Sequence, residues 1–477
     1  MHSRDRHLGR GGIALLVALA ALGAAAVATA ASGTTERASV ATGGGQADSP
    51  SGLHSWRPAI SANGNLIAFD STATNLIPGA ASGQDNVYLR SRSGGALELL
   101  SATGSGSEAN GPSSEPDLSG DGRYVAFHTA ATNLAPGGNL AGIVVLDRVT
   151  HAITPVSVAG KKGADGHDPS ISDDGRYVAF ESANPDLASG SSGGKSGGGS
   201  TSGVAIAGTF SSFIYVRDLA RQKTQLVSVD SAGKAAGLSF DPVISADGRY
   251  VAFDTSAPLV PDDTNASSDI YVRDLQTGST VRASVDSSGG QGPGNYLAPS
   301  ISGDGRYVAF DAATPLTAAD TNGKQDVYVH DMLTGQTTRV SVDSAGNQAD
   351  NHSDGFSLGS VQDGGLETAG PQISGDGRYV AFESAASNLV ADDTNTCSVP
   401  NVTDFPAPGQ CPDVFVHDLQ TGATSRVSVD STGGQADGPN GDPAIDADGS
   451  AVAFLSDATN LVPSDTNSAA DVFVHAG

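Results

Sequence analysis

One ten-residue pattern recurs seven times, and it constrains the fold of this chain more than any other feature. The pattern reads ISGDGRYVAF at residues 301–310 and again at 373–382. Relatives begin at residues 60, 118, 171, 244 and 445, and a proline lies about two positions before each copy. Self-similarity at a roughly regular spacing is typical of architectures in which each repeat is one supersecondary unit.

Alternation of apolar residues and turn residues predicts four strands in each unit. In the fifth unit, residues 299–302 and 306–312 form two strands around the dipeptide Asp304-Gly305, which favours a two-residue hairpin turn. After a longer loop, residues 326–332 and 336–343 alternate as a third and a fourth strand. Four antiparallel strands repeated in this way form one blade of a β-propeller. The predicted fold class is therefore all-β, with blades that begin near residues 58, 116, 169, 242, 299, 371 and 443.

The seventh unit ends without its fourth strand, and the other end of the chain supplies a substitute. ERASVATGGGQAD at residues 36–48 matches SRVSVDSTGGQAD at 425–437 in eight of thirteen positions. We therefore expect a strand at residues 35–41 to complete blade 7 and to close the ring, which removes open sheet edges. One seven-bladed domain then spans residues 35–477.

The repeat P-x-I-S-x-D-G-R-Y-V-A-F, followed by D-V-x-V-x-D-L-x-T-G-x-T, resembles the TolB-type, WD40-like propeller repeat of secreted bacterial proteins. Similar repeats also build the propellers of prolyl-oligopeptidase and tricorn-like proteases. The resemblance covers nearly the whole chain after residue 35. It implies an envelope-associated binding scaffold, although TolB carries an additional N-terminal domain and resembles a six-bladed ring.

Residues 1–30 are predicted to be a signal peptide. Three arginines precede an Ala/Leu/Val run that ends in the small-residue sequence ATA at 28–30. An uncleaved membrane anchor is the alternative, because the apolar run approaches the length of a membrane span. Cleavage would leave a protein that is secreted or held in the periplasm or cell envelope, with no stable insertion in a membrane.

The chain carries a formal net charge of −27. A surface of this sign repels nucleic acid and keeps an exported protein soluble and monomeric, while it attracts cations.

Long insertions fall on one face of the predicted propeller. This loop-rich face carries the connections between second and third strands and those between blades, including insertions at 190–213, 347–370 and 396–412. Four of its loops contain the sequence Asp-Thr-Asn, and an aspartate opens each following strand. The candidate calcium ligands in these DTN turns are Asp263, Asn265, Asp269, Asp320, Asn322, Asp326, Asp393, Asn395, Asp413, Asp465, Asn467 and Asp471. The alternative is that these side chains only cap tight turns through backbone amides.

The two cysteines, Cys397 and Cys411, lie in the insertion of blade 6. In an exported chain without a neighbouring Cys/His cluster, they are expected to form a disulfide rather than a free or metal-bound pair. The histidines of the third strands, His330, His417 and His475, alternate with arginine at the same repeat position, which predicts a solvated site.

No nucleophile or acid/base constellation remains after the repeats are assigned, so enzymatic activity is uncertain and the less favoured interpretation. The preferred hypothesis is a binding scaffold that recognises a protein or cell-envelope component through the loop-rich face, with calcium as the one candidate cofactor. The alternative is an extracellular hydrolase or lyase with a carboxylate or metal site at the mouth of the channel. Carboxylates from several blades at one end of the channel would favour it. A spacer without a defined ligand is the third hypothesis.

Overall fold

The computed structural model describes residues 33–52, 57–80, 82–134, 141–159, 162–184, 187–188, 212–354, 370–397 and 410–477. The predicted signal peptide lies outside these ranges. Within them, strands form seven four-stranded antiparallel sheets and one small hairpin of β10 (Val158–Ala159) and β11 (Lys162–Gly163). No helix in the described part of the chain has the length and apolarity that a membrane crossing requires.

Each sheet is one blade, and its strands follow one another from the channel outwards. The first strands are β2 (Ala59–Ile60), β6 (Ser113–Leu118), β12 (His167–Ile171), β16 (Ser239–Ile244), β20 (Tyr296–Ile301), β24 (Gln372–Ile373) and β28 (Asn440–Ile445). The second strands are β3 (Leu66–Ser71), β7 (Tyr124–Thr129), β13 (Tyr177–Ser182), β17 (Tyr250–Thr255), β21 (Tyr307–Ala312), β25 (Tyr379–Ser384) and β29 (Ala451–Ser456). The third strands are β4 (Asn86–Ser91), β8 (Gly142–Asp147), β14 (Phe213–Asp218), β18 (Asp269–Asp274), β22 (Asp326–Asp331), β26 (Asp413–Asp418) and β30 (Asp471–Ala476). The fourth strands are β5 (Leu97–Leu99), β9 (Ala152–Pro155), β15 (Lys223–Leu226), β19 (Ser279–Arg282), β23 (Gln336–Arg339), β27 (Thr424–Arg426) and, in blade 7, β1 (Thr34–Arg37).

The seven-bladed fold and its closure by the N-terminal strand are confirmed. Strand β1 pairs antiparallel with β30, with Thr34 opposite Ala476 and Arg37 opposite Phe473. It is shorter than the predicted 35–41, because beyond it Val40 forms only an isolated bridge with Gln46. Thr35 also contacts the preceding blade, since its Oγ1 donates to the carbonyl of Val429.

The core lies between neighbouring blades. On β21, Val308, Ala309 and Phe310 are fully buried, and the Phe310 ring stacks on Tyr328 of β22 with centroids 6.4 Å apart. Val308 and Phe310 also belong to a cluster that includes Ala252 of blade 4. Burial of one such aromatic side chain contributes about 1.5–3 kcal/mol, and this contribution recurs around the ring.

In blades 2 to 6 the DGRY segment holds the first hairpin in place at the end of the ring opposite the loop-rich face. Arg306 donates to both carboxylate oxygens of Asp331, at 3.0 and 2.7 Å, and its guanidinium lies 4.6 Å from the Tyr307 ring centroid. Gly305 has a φ of 74°, and a Cβ there would lie 2.2 Å from Tyr250 of the preceding blade. The glycine is therefore required both by its conformation and by the packing of blade on blade. The same arginine–aspartate–tyrosine contact occurs in five blades, from blade 2 to blade 6.

Candidate functional site

Each DTN turn packs against an arginine of the fourth strand. In blade 5, Arg339 Nη1 lies 3.2 Å from Asp320 Oδ1 and 3.6 Å from Asp326 Oδ2. Asn322 donates its side-chain amide to Asp326 Oδ2 at 2.9 Å, and Ser341 donates to Asp326 Oδ1 at 2.5 Å. The structure therefore brings the predicted oxygen groups together, and it places a guanidinium between the two carboxylates.

The turns of blades 6 and 7 repeat this arrangement. Arg426 Nη1 lies 3.3 Å from both Asp393 and Asp413, and Arg37 Nη1 lies 3.1 Å from both Asp465 and Asp471. In blade 4 the contact is looser, with Arg282 Nη1 at 3.9 Å from Asp263. A glutamine completes all four clusters by hydrogen bonds to the turn, namely Gln291, Gln348, Gln435 and Gln46.

Calcium binding at the DTN turns stays a prediction. A hard cation there would bind carboxylate and carbonyl oxygens, and in these clusters the two carboxylates already face a positive charge. Asp326 is fully buried, and burial raises the pKa of its carboxyl to about 6. An ion would therefore have to share this small polar cluster with the arginine or displace it.

The third-strand histidines are buried, which contradicts the predicted solvated position. His330, His417 and His475 are at most 5% exposed, and Arg217 at the same position is 8% exposed. Each histidine shares a hydrogen bond between its Nδ1 and a fourth-strand threonine, as His330 does with Thr337 at 2.8 Å. Histidine and arginine interchange here because both can reach that hydroxyl, and neither side chain is available as a general base.

The central channel contains a cavity of about 240 Å³ lined by the first strands of all seven blades. Its charged lining comes from blades 1 to 4 and consists of Arg57, Glu115, Asp117, Asp168, Asp173 and Asp241. The corresponding lining of blades 5 to 7 is uncharged and includes Ala298, Gln372 and Ala444. The channel therefore has one acidic wall.

Three of these carboxylates, Glu115, Asp168 and Asp241, lie where their first strands begin. Antiparallel pairing puts this end beside the ends of the second strands, which is the side of the ring that carries the loop-rich face. We call this trio the channel mouth. All three residues have φ between 48° and 56°, because a bulge interrupts each first strand there.

The residue after the phenylalanine of the repeat is a second acidic position that the sequence analysis missed. It is Asp70 in blade 1, Asp254 in blade 4, Asp311 in blade 5 and Glu383 in blade 6, all at most 2% exposed, and Glu181 in blade 3. Burial raises the pKa of Asp311 to about 7, and it also raises that of Asp254. An alignment of the repeat copies reveals this acid, because it directly follows the phenylalanine of the repeat.

At that same position blade 2 has His128, whose ring lies 4.8 Å from the ring of His167 in blade 3. Glu115 Oε1 lies 3.7 Å from His167 Nδ1, and Glu115 Oε2 accepts the backbone N–H of Asp168 at 2.9 Å. Glu115 raises the pKa of His167, whereas burial lowers the pKa of His128. Two imidazoles and a carboxylate thus meet beside the channel mouth.

Cys397 and Cys411 form the expected disulfide, with their Cα atoms 5.0 Å apart. Residues 398–409 between them lie outside the described residues, as do most of the insertions predicted at 190–213 and 347–370. A disulfide fits an oxidising compartment.

No protein-family model and no curated protein matches this chain. Solved structures do match it. An oligogalacturonate lyase in complex with manganese aligns over 94% of this chain and 98% of its own, with 11% identity and a TM-score of 0.51. The oligogalacturonate lyase of Vibrio parahaemolyticus aligns over the same shares, with 10% identity and a TM-score of 0.50.

TolB from Acinetobacter baumannii is also among the matches, with 17% identity over 59% of this chain and a TM-score of 0.35. The alignment covers 53% of that TolB, so this chain spans about half its length. The shared feature is the propeller. At such identities the likenesses to the two oligogalacturonate lyases show the fold alone and leave the function to the site itself.

Proposed function

We propose that this chain is an exported binding propeller that recognises a protein or cell-envelope component carrying cationic groups, through the channel mouth and the surrounding loop-rich face. The observation that carries the proposal is the one-sided acidity of the channel. Five carboxylates and one arginine line it, and the three carboxylates of the channel mouth lie on the side of the loop-rich face. An acidic concavity of this kind attracts ammonium and guanidinium groups and raises their local concentration.

Ion pairs within the fold occupy the DTN turns and the DGRY segments. The DTN turns pair with arginines of the fourth strands, and the DGRY arginines pair with aspartates of the third strands. Binding residues concentrate in loops and strand ends held by a rigid scaffold, as the channel mouth is. Export is supported by the predicted signal peptide and by the disulfide.

The test is calorimetric titration with an eight-residue oligolysine peptide. The triple variant Glu115→Gln, Asp168→Asn, Asp241→Asn removes the charges of the channel mouth. If each exposed carboxylate–ammonium pair contributes about 0.5 kcal/mol, the variant should bind about tenfold more weakly. Binding of the wild type should also weaken as salt is raised.

The matched control removes the same charge from the opposite face through Asp121→Asn, Asp247→Asn and Asp304→Asn, which are exposed turn residues. Its affinity for the peptide should stay within about twofold of the wild type, since the exposed charges that it removes lie on the opposite face from the channel mouth. Equal losses in the two triple variants, or no binding by the wild type, would contradict the proposal.

The second candidate function is an extracellular hydrolase or lyase with a carboxylate or metal site at the channel mouth. Convergence of Glu115, Asp168 and Asp241 from three blades at one end of the channel favours it. Turnover of a polysaccharide or peptide panel that disappears in the channel-mouth triple variant would select this alternative over simple binding.

A further inference from the structure

The junction of blades 2 and 3 departs from the repeat at two positions that meet in space. Where blade 2 has His128, blades 3 to 6 have carboxylates and blade 7 has Leu455. Where blade 3 has His167, the matching first-strand residues are Ser114, Phe240 and Leu297 in blades 2, 4 and 5. The propeller therefore folds without an imidazole at either position, so the fold alone does not account for the pair.

These two imidazoles share their space with a carboxylate. One donor atom from each of Glu115, His128 and His167 lies within 4.8 Å of the other two. A tetrahedral ion with bonds of about 2.1 Å holds its ligand atoms about 3.4 Å apart. Side-chain movements below about 1 Å would therefore bring the three donors to bonding distance of one ion.

The far side of His167 is arranged in the way that metal-bound histidines require. Its Nε2 lies 3.2 Å from Asp165 Oδ1, while its Nδ1 faces Glu115. A carboxylate behind a histidine fixes the tautomer and leaves the other nitrogen free to bind the ion. The set thus contains three ligands and one orienting residue.

We propose that Glu115, His128 and His167 form a binding site for a divalent transition-metal ion of the zinc class. Two histidines and one carboxylate are a common protein ligand set for zinc and for other divalent transition ions with open coordination positions. Glu115 lines the channel cavity, so an open position on its side of the ion would be reached from the channel by a water or by an oxygen atom of a bound molecule. The proposal shares Glu115 with the channel mouth, but its test is separate, because zinc binding requires no cationic partner.

The experiment uses the untagged protein, freed of metal by chelator and titrated with zinc chloride by calorimetry. We expect one zinc ion per chain. Loss of an outer-shell partner weakens metal binding about 10- to 100-fold, so Asp165→Asn should weaken zinc binding within that range. His128→Gln and His167→Gln each remove a ligand, so each should weaken zinc binding by more than that. Asp247→Asn is the control, since it removes an exposed turn carboxylate on the opposite face of the ring, and its affinity should equal that of the wild type.

A spectroscopic measurement on the wild type keeps the proposal testable if a variant fails to fold. Copper(II) bound at this site should show an electron paramagnetic resonance spectrum with coupling to two imidazole nitrogens. The absence of stoichiometric zinc binding, a copper spectrum without nitrogen coupling, or unchanged affinity in both folded histidine variants would overturn the proposal.

Discussion

Replacement of Arg339 by glutamine should destabilise the propeller by about 3–5 kcal/mol, the range found when one partner of a buried ion pair is removed. The pair is buried, since the side chains of Arg339, Asp320 and Asp326 are 6%, 4% and 0% exposed. Glutamine cannot supply the charge, so two carboxylates would face each other without a cation. Arg148→Gln is the control, because its pair with Glu98 is 24% and 35% exposed and should contribute less than about 1 kcal/mol.

The loss of stability caused by Arg339→Gln should depend on pH. The pKa of Asp326 already lies near 6 in the folded protein, and loss of Arg339 raises it further. Below that pKa the folded variant takes up a proton, which relieves the repulsion, so the loss of stability should be larger at pH 8 than at pH 5. Denaturant midpoints followed by circular dichroism at both pH values measure the effect. A loss below about 1 kcal/mol at pH 8, equal to that of the control, would refute the reasoning.

Calcium belongs in the same experiment. Millimolar calcium chloride that raises the midpoint of Arg339→Gln but not of the wild type would identify the arginine as the resident cation of the DTN turn. An increase in both proteins would establish calcium binding beside the arginine. No increase in either would refute the calcium prediction for this turn.

Three further predictions concern the framework and are read from the same unfolding curves. Burial raises the pKa of Asp311 to about 7, so the folded chain keeps a proton that the unfolded chain releases above about pH 4. The free energy of unfolding should therefore fall from pH 4 to pH 7, and Asp311→Asn should make that fall smaller. Thr35→Val removes the bond to blade 6 that helps to close the ring, and it should cost about 1–3 kcal/mol. Gly335→Ala meets no neighbour and should cost about 1–2 kcal/mol for its positive φ, whereas Gly305→Ala also meets a tyrosine and should cost more.

The sequence predicts the architecture well because the repeat is local and explicit. Turn glycines, strand alternation and the copy of 425–437 at residues 36–48 define seven blades and the closing strand without any knowledge of long-range contacts. The same copy also carries the residues that contact the DTN turn of blade 7. Arg37 and Gln46 correspond to Arg426 and Gln435, the residues that contact the DTN turn in blade 6.

What the sequence could not show depends on which side chains meet across strands and between blades. Arg339 is thirteen residues from Asp326 in sequence, and only strand pairing reveals that it faces the carboxylate. Exchange of His330 with arginine indicated a solvated position, but the structure shows a shared hydrogen bond to a buried threonine. The Glu115–His128–His167 group joins two blades, so no single repeat contains it.

The pairing of Thr34 with Ala476 also has a consequence for the order in which the molecule is made. Strand β1 is the first of the described strands to be synthesised, and it has no pairing partner until β30 has emerged. The ring therefore cannot close during translation or export. Joining ends about 440 residues apart carries a chain-entropy cost of roughly 5 kcal/mol, and the edge of blade 7 stays open meanwhile. A circular permutant that begins at a blade boundary, with residues 34–37 fused behind Gly477, would make the same contacts between neighbours in sequence and should fold faster.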